Sequence, residues 1–575
     1  MPKDERYDVV IVGGGPNGMG TAAYLAKAGL SVCVLEERTE CGGACETVEP
    51  FPGVRIFPHA VLMYAAPAPA FDQLELWKYG FRMKWNPVGW EDLMVGGNST
   101  TQGVSPNSEK DVMGFGKLGG LLGQPEPFTK ELMRAAFWCP PHPPEVEVTD
   151  ENVPYMQVYK KYQPDVWTPE LRQWTMFDMM DEHFETEPFK VIMAFAAYGS
   201  GAAGHWEGMA IPALLAVQLL VAPNLGKQSV PRGGLHGYFH AIHRCVVANG
   251  GVVRTMCPVE EIIVDDGRAV GVRLRDDAAM GGKKIWANKA VISAVDYRQT
   301  FFDMVGTKHL QPSFIRNLED VSLKNGTLMV TTYHTKEPIR WKPKWGDILN
   351  QQCPGPDKVP FGIVYPSDSR EFYYESIGDC DARKSMPTVP PERYMWLLCP
   401  SQNFDPTDCQ GSYPNGYISA PFEANVPVPE TQVEGIDTQM ERKAELDEYM
   451  RKSFSQALDG LEPENILHTW SSSGREVEFR NSGLIGGTWC GSRHCADQSA
   501  EKRLIPELTR YRSPIDGLYC AHQTMSHPGG LCLMAIPYNL MHILIEDGVV
   551  EDPGKWWYPS PYYIPQDGKI SAIPR

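Results

Sequence analysis

The sequence lacks the residue spacings that build common metal centres. Its 14 cysteines form no paired C-x-x-C sets, and no H-E-x-x-H motif is present. We therefore expect no metal ion. Polar residues lead directly into the first apolar strand, which predicts that no secretory leader precedes it. Cysteines without such a leader indicate free thiols in a reducing, cytoplasmic compartment.

An excess of positive charge and a long apolar run are also missing. The 53 lysines and arginines are outnumbered by 71 aspartates and glutamates, which gives a net charge of −18. This charge argues against nucleic acid as a partner, because the phosphates would repel it. The nearest candidate for a membrane span, residues 209–223, is shorter than the roughly 20 residues needed. We predict a buried helix there, with peripheral contact to a membrane surface as the alternative.

The most informative segment that is present covers residues 8–18, D-V-V-I-V-G-G-G-P-N-G. An apolar strand leads directly into three spaced glycines, and a helix is predicted over residues 21–28. In such a motif Gly13 permits a tight turn, Gly15 lets the backbone approach a diphosphate, and Gly18 lets the helix pack closely on the strand. The N–H groups at the start of the helix would then face the phosphates.

A carboxylate follows these glycines at the spacing that the motif requires. A strand predicted over residues 31–35 ends at Glu36, about 20 residues beyond the motif, where an acidic side chain binds ribose hydroxyls. Two further G-x-G-x-x-G matches start at Gly114 and Gly199. They lack this strand-and-acid context, so we predict loops for both. The sequence thus predicts one dinucleotide site, with NAD and FAD both open.

Several later segments favour FAD. Gly42 and Gly43 follow the ribose carboxylate in E-E-R-T-E-C-G-G-A, where they would let the backbone pass close to the cofactor. P-R-G-G-L-H-G-Y starts at residue 231, N-G-G-V-V-R starts at residue 249, and S-P-I-D-G-L-Y-C-A-H-Q-T-M-S-H-P-G-G covers residues 513–530. Taken in this order, the segments resemble the phytoene desaturase and carotenoid isomerase group of FAD-dependent oxidoreductases, within the amine-oxidase-like flavoprotein superfamily.

The resemblance implies an α/β fold with a Rossmann-type FAD-binding domain assembled from separated segments. These segments are expected at residues 1–75, 225–310 and 475–550. Residues 76–224 and 311–474 would build an interleaved substrate domain with a mixed or antiparallel sheet and helices. Residues 551–575, which are rich in aromatic residues and proline, are predicted to form an arm packed on this subunit or on the partner in a homodimer.

The resemblance also assigns residues to the cofactor. Those that would hold FAD are Gly13, Gly15, Gly18, Glu36, Arg38, Gly42, Gly43, Ala44, Val259, Ala294, Pro528, Gly529 and Gly530. The chain departs from the group at Ala521 and His522, where glycine is usual, and again beyond Gly530, where Leu531–Met534 replace small residues. We therefore expect an altered floor of the flavin pocket, and a substrate that is smaller than a carotenoid or differently shaped.

Four catalytic candidates lie close to these motifs in sequence: His59, Arg232, His522 and His527. A histidine could take or give a proton, and Arg232 could hold the anionic pyrimidine edge of reduced flavin. For each of them the alternative is a structural hydrogen bond. Cys490 and Cys45 could link the flavin covalently, although a buried free thiol is the simpler interpretation of each.

The predicted activity is dehydrogenation of a hydrophobic substrate, isoprenoid or alicyclic, at a carbon–carbon single bond. Hydride would pass to flavin N5, and the proton would be lost to a histidine or to solvent. Oxygen or a quinone would accept the electrons, because no second nicotinamide-type motif is found. The alternatives are an amine or alcohol oxidase, a redox-neutral double-bond isomerase, and a non-enzymatic protein that escorts prenylated partners.

Overall fold

The computed structural model describes residues 5–59, 68–85, 94–96, 108–118, 128, 130–143, 145–164, 167–199, 202–221, 229–322, 327–343, 362–365, 370–394, 396–398, 416–426, 440–487, 491–498, 500–529 and 534–557. The strands are β1 (Glu5–Val12), β2 (Val32–Leu35), β3 (Val48–Phe51), β4 (Val54–Ile56), β5 (Met83–Trp85), β6 (Met94–Gly96), β7 (Ser229–Pro231), β8 (Val252–Arg254), β9 (Val259–Asp265), β10 (Arg268–Leu274), β11 (Lys284–Ser293), β12 (Thr327–Thr335), β13 (Arg340–Trp341), β14 (Gly362–Tyr365), β15 (Trp396–Leu398), β16 (Tyr417–Val426), β17 (Leu458–Asp459), β18 (Ile466–Ser472) and β19 (Leu518–Cys520).

The α-helices are α1 (Pro16–Lys27), α2 (Ala70–Gln73), α3 (Glu109–Leu118), α4 (Lys130–Phe137), α5 (Pro154–Tyr162), α6 (Met176–His183), α7 (Glu187–Gly199), α8 (Ala210–Val221), α9 (Gly234–Ala248), α10 (Pro312–Glu319), α11 (Arg370–Asp381), α12 (Lys443–Phe454), α13 (Gly474–Arg480) and α14 (Ala535–Glu546). A π-helix covers Gln299–Val305. Short 3₁₀ helices cover Leu76–Tyr79, Pro169–Arg172, Thr307–His309, Pro391–Arg393, Ile485–Gly487, Ala500–Lys502 and Pro506–Leu508.

Seven of the described strands form the sheet that carries the glycine turn. Its order is β8-β2-β1-β11-β10-β9, and β19 pairs in parallel with the end of β11. β1 is parallel to both β2 and β11. Helices cover both faces of β1: Val9 and Ile11 pack with α1, α9 and α14, whereas Val10 and Val12 pack with the π-helix and α10. The prediction of a Rossmann-type domain built from separated segments is therefore confirmed.

A second sheet contains six described strands in the order β18-β12-β16-β15-β14-β6. Its neighbouring strands are antiparallel, except that β14 and β6 are parallel. The sheet is thus mixed, as the resemblance implies. Helices α4 to α8 contribute to a separate apolar cluster. In the sequence these helices lie between β2 and β8, two strands of the first sheet.

Two local predictions were wrong. Helix α1 begins at Pro16, five residues before the predicted start at residue 21, because proline is well suited to the first position of a helix, where its missing N–H is no loss. The predicted loop at Gly114 is instead part of α3, whereas at the second match Gly199 ends α7 and Gly204 lies in a turn, as predicted. A Cβ atom on Gly114 would lie 2.2 Å from the carbonyl oxygen of His183, so close packing against the end of α6 explains this helical glycine.

Helix α8 covers most of the apolar run of residues 209–223. Ile211, Leu214 and Val217 are buried in the helical cluster. Within the described ranges, no helix is both long and apolar enough to cross a membrane. Contact with a membrane surface stays a prediction.

The start of the predicted arm packs on its own chain. The rings of Trp556 and Trp557 lie 6.2 Å and 5.6 Å from the ring of Tyr24 in α1. The backbone carbonyl of Trp557 also accepts a hydrogen bond of 2.7 Å from the amide of Gln73. These contacts attach residues 556–557 to the dinucleotide-type domain, whereas residues 558–575 lie outside the described part of the chain.

Candidate functional site

The glycine turn between β1 and α1 is built by close backbone packing. Gly13 has φ +99°, and its N–H donates to the carbonyl of Leu35 at 2.8 Å. A Cβ atom on Gly18 would lie 2.0 Å from the carbonyl oxygen of Gly13 and 3.1 Å from the Cβ of Ala294. A side chain at Gly18 would therefore force α1 away from β1 and β11.

Gly15 differs from these glycines, because it faces open space. A Cβ atom there would come within 4.0 Å of a single neighbour, the Cα of Gly43. Gly15 is also the N-cap of α1, and no side chain caps its N–H groups. Open space beside uncapped N–H groups at the start of a helix fits an anionic diphosphate. The loop geometry thus supports the role that the sequence predicts for Gly15.

Glu36 lies directly after β2, at the carboxyl edge of the same sheet. Its Oε2 accepts a hydrogen bond of 2.7 Å from the N–H of Gly14, and its Oε1 accepts one of 2.9 Å from the N–H of Arg38. Burial raises the pKa of the Glu36 carboxyl above its ordinary value, although these two bonds oppose the rise. The two N–H groups fix the carboxylate at the mouth of the glycine turn.

These elements border one cleft along the carboxyl edge of the sheet, with a cavity volume of about 510 Å³. Sites for small ligands are typically about 300–1,000 Å³, so the cleft is large enough to hold a small-molecule ligand or cofactor. The predicted cofactor residues that line it are Gly13, Gly15, Glu36, Arg38, Gly43, Ala44, Val259 and Ala294. The residues present therefore fit a bound dinucleotide.

The remaining predicted cofactor residues support the cleft or lie away from its lining. Gly18 packs beneath the turn, and the N–H of Gly42 donates to the carbonyl of Gly14 at 3.0 Å. Gly529 packs against Arg503, where an added Cβ atom would lie 2.4 Å from the guanidinium Nε. Pro528 precedes it and is buried. Gly530 and Cys490 lie outside the described residues, so their predicted roles stay predictions.

Glu46 connects the cleft wall to a distant helix. Its buried carboxylate contacts Nη2 of Arg38 at 2.8 Å, Nε2 of His59 at 2.8 Å, and the guanidinium of Arg480 at the end of α13. Burial opposes ionisation of Glu46, but the hydrogen bond and charge of His59, the charge of Arg480 and the hydrogen bond from Arg38 outweigh burial and lower its pKa to about 2. Burial lowers the pKa of His59. The structure thus places His59 beside Arg38, within this network.

The other three catalytic candidates occupy different environments. His522 is 9% exposed and lines the cleft. His527 is buried, and its backbone carbonyl accepts a hydrogen bond of 2.7 Å from the hydroxyl of Tyr511. Arg232 is exposed just before α9, and its N–H donates to the carbonyl of Arg82 at 2.8 Å. Of these four candidates, the described cleft lining includes His522 alone.

Sequence reasoning missed part of the cleft lining. The missed residues include Cys257, Pro258, Arg275, Gln299, Asp303, Asn481, Ser482, Gly483 and Leu484. The turn after α13 is joined to the segment after β2 by a hydrogen bond of 2.5 Å, which Ser482 Oγ donates to Glu37 Oε1. The capping box of Ser473 and Glu476 is a sequence signal that could have predicted α13. The end of that helix would then have indicated a turn near residue 481.

Cys45, which could link a flavin covalently, also lies in the cleft wall. Its side chain is 1% exposed, and burial raises the pKa of its thiol to about 12. A thiolate is the reactive form of cysteine, so burial disfavours the form of Cys45 that would react with a flavin.

Comparisons with known proteins show what this chain is similar to. Residues 11–77 match the family of NAD(P)-binding Rossmann-like domains. The chain is 23% identical to pyridine nucleotide-disulfide oxidoreductase domain-containing protein 2 of Rattus norvegicus, over 94% of each chain. It is 21% identical to a polypeptide of the limonene dehydrogenase of Castellaniella defragrans, over 95% of this chain and 96% of that one.

A solved structure extends the likeness to the whole fold. A putrescine oxidase variant superimposes with a TM-score of 0.56 at 14% identity, covering 94% of this chain and 98% of that one. The protein therefore has the amine-oxidase-like, dinucleotide-binding fold.

Proposed function

We propose that this protein is an FAD-dependent oxidoreductase that dehydrogenates a hydrophobic substrate at a carbon–carbon single bond. The observation that carries the proposal is the cleft along the carboxyl edge of the first sheet. It combines an open glycine turn, uncapped N–H groups of α1 and a fixed ribose carboxylate. FAD would accept a hydride from one carbon, and the proton from the neighbouring carbon would be lost to a histidine or to solvent. The protein would orient the substrate.

Named residues have separate parts in this proposal. Gly15 and the first turn of α1 would bind the diphosphate, and Glu36 would bind the ribose of the adenosine half. Arg38 and Ala44 would border the same half, while Ala294 and His522 would border the remainder of the cofactor.

The similarity to the limonene dehydrogenase polypeptide supports a terpene-like hydrocarbon as the substrate class. Oxygen or a quinone would accept the electrons.

The first test is an absorption spectrum of the purified protein before and after acid precipitation. We expect bands near roughly 375 and 450 nm that move into the supernatant, because the flavin would be bound without a covalent link. Colour kept in the pellet would instead implicate Cys490 or Cys45. Absence of both bands after incubation with FAD would overturn the proposal.

The substrate class can be tested by anaerobic bleaching of the band near 450 nm. We expect bleaching by a cyclic terpene hydrocarbon and none by putrescine or a primary alcohol. Bleaching by the amine alone would contradict carbon–carbon dehydrogenation and favour an amine oxidase. Turnover that needs reduced flavin but consumes no oxidant would favour the isomerase.

Replacing Glu36 with glutamine should weaken FAD binding by about 10- to 100-fold. Hydrogen bonds to a charged group contribute about 1.5–3 kcal/mol, and the neutral amide would lose this contribution with the ribose hydroxyls. Titration of the flavin-free protein with FAD, followed by quenching of flavin fluorescence, measures the change. Glu40→Gln is the matched control, because Glu40 is an exposed carboxylate four residues away. Equal affinities in both variants would contradict the assignment of Glu36.

A further inference from the structure

His522 and Glu36 mark two separated positions on the carboxyl edge of the first sheet. Glu36 follows β2, and His522 lies two residues after β19. The strands between them run in the order β2-β1-β11-β19. Three strand spacings of about 4.8 Å separate β2 from β19 by roughly 14 Å. Because both residues line the cleft, a dinucleotide held at Glu36 and stretched along this edge would reach His522 with its other half.

The Nδ1 side of the His522 ring is fixed by Thr524. The backbone N–H of Thr524 donates to Nδ1 at 3.3 Å, and the Thr524 hydroxyl lies 2.9 Å from the same nitrogen. A backbone N–H can only donate, and unlike a hydroxyl it cannot rotate, so Nδ1 must carry a lone pair. In a neutral imidazole the proton is then on Nε2.

The surroundings of His522 keep the ring neutral. Among the described residues, the charged groups near it are Arg503 and, on the far side of Thr524, Asp296. Burial, together with the positive charge of Arg503, lowers the pKa of His522 to about 3. Nε2 faces Gly483, which also lines the cleft, and an added Cβ atom there would lie 3.6 Å from this nitrogen.

We infer that His522 is a fixed hydrogen-bond donor, through Nε2–H, to an oxygen atom of the bound dinucleotide, and that it does not act as an acid or a base. The inference rests on the proposed function for the identity of the ligand. Thr524 is then a positioning residue, because its N–H selects the tautomer of His522. This assignment replaces the predicted proton-transfer role of His522.

Two substitutions separate a donor from an acid–base group. The amide nitrogen of glutamine reaches about as far as Nε2, whereas that of asparagine reaches about as far as Nδ1. We expect His522→Gln to keep FAD affinity within about threefold of the unaltered protein, and His522→Asn to weaken it about tenfold or more. Fluorescence titration of flavin-free protein with FAD measures both. Equal affinity in the two variants, whether reduced or unchanged, would overturn the inference.

The tautomer can be measured without FAD. Long-range ¹⁵N–¹H spectra of protein labelled at histidine should show a neutral ring protonated at Nε2 between pH 6 and 8, and this signal should be missing in His522→Gln. The opposite tautomer or an imidazolium would overturn the inference, even if His522→Asn failed to fold. Failure of the unaltered protein to bind FAD, with the expected tautomer present, would instead contradict the proposed function.

Discussion

Gly18→Ala is expected to destabilise the dinucleotide-type domain by about 3 kcal/mol or more and to abolish FAD binding. The added Cβ atom would lie 2.0 Å from the carbonyl oxygen of Gly13, a backbone atom that cannot move without breaking the turn. Overpacking a core typically costs about 1–3 kcal/mol, and a backbone clash this close lies at or above that range. The thermal midpoint and the flavin content of the purified variant measure the effect.

Two other glycine-to-alanine changes control for this prediction. Gly15 has φ −72° and ψ −179°, which alanine adopts without strain, so Gly15→Ala should keep the thermal midpoint of the flavin-free protein. Its methyl group would occupy the open space before the N–H groups and weaken FAD binding at least about tenfold. Gly378→Ala in α11 meets no atom within 4 Å and should be neutral or slightly stabilising. Equal stability of Gly18→Ala and Gly378→Ala would contradict the packing argument.

The glycine turn could be predicted from sequence because its geometry is local. Gly13, Gly15 and Gly18 lie within six residues, and the strand before them and the helix after them follow directly. Glu36 comes one strand later, and parallel pairing of β1 with β2 brings it to the same edge. Spacing along the chain therefore determines position in space for this half of the site.

The other walls of the cleft depend on contacts between distant segments. Asn481 and Ser482 lie more than 400 residues after β2 in the sequence, yet they line the same cleft. Ser482, for example, contacts Glu37 across a sequence separation of 445. Similarly, Arg480 contacts Glu46 across a sequence separation of 434. No periodicity or motif encodes such pairings, so a single sequence cannot reveal them.

Tertiary packing also explains the wrong prediction at Gly114. The sequence predicts a loop there because the glycine pattern lacks the strand and the acidic residue of a dinucleotide motif. Glycine is also unfavourable inside a helix. In α3, however, a larger residue would collide with the backbone of His183, so the close approach of the two segments requires glycine there.

Glu46→Gln is expected to lower the free energy of unfolding by about 3 kcal/mol at neutral pH. Removing one partner of a buried ion pair typically costs about 3–5 kcal/mol, because it leaves the opposite charge without compensation. Here Arg38 and Arg480 would lose their shared carboxylate, and Glu46 is 3% exposed. Thermal unfolding of both proteins without flavin measures the difference. Arg38 also lines the cleft, so we expect weaker FAD binding in the same variant.

The pH dependence of this difference identifies its cause. The pKa of Glu46 falls from an ordinary value of 4.5 to about 2 in the folded protein, so its ionised form stabilises the fold above pH 4.5. That stabilisation is lost as the pH falls from 4.5 towards 2, because the unfolded chain takes up the proton first. The two proteins should therefore converge in stability on acidification. Glu49→Gln, which alters an exposed pair with Arg55 at 3.3 Å, should leave stability unchanged at every pH. A constant difference between Glu46→Gln and the unaltered protein from pH 7 to pH 3 would show that packing, and not charge, gives Glu46 its effect.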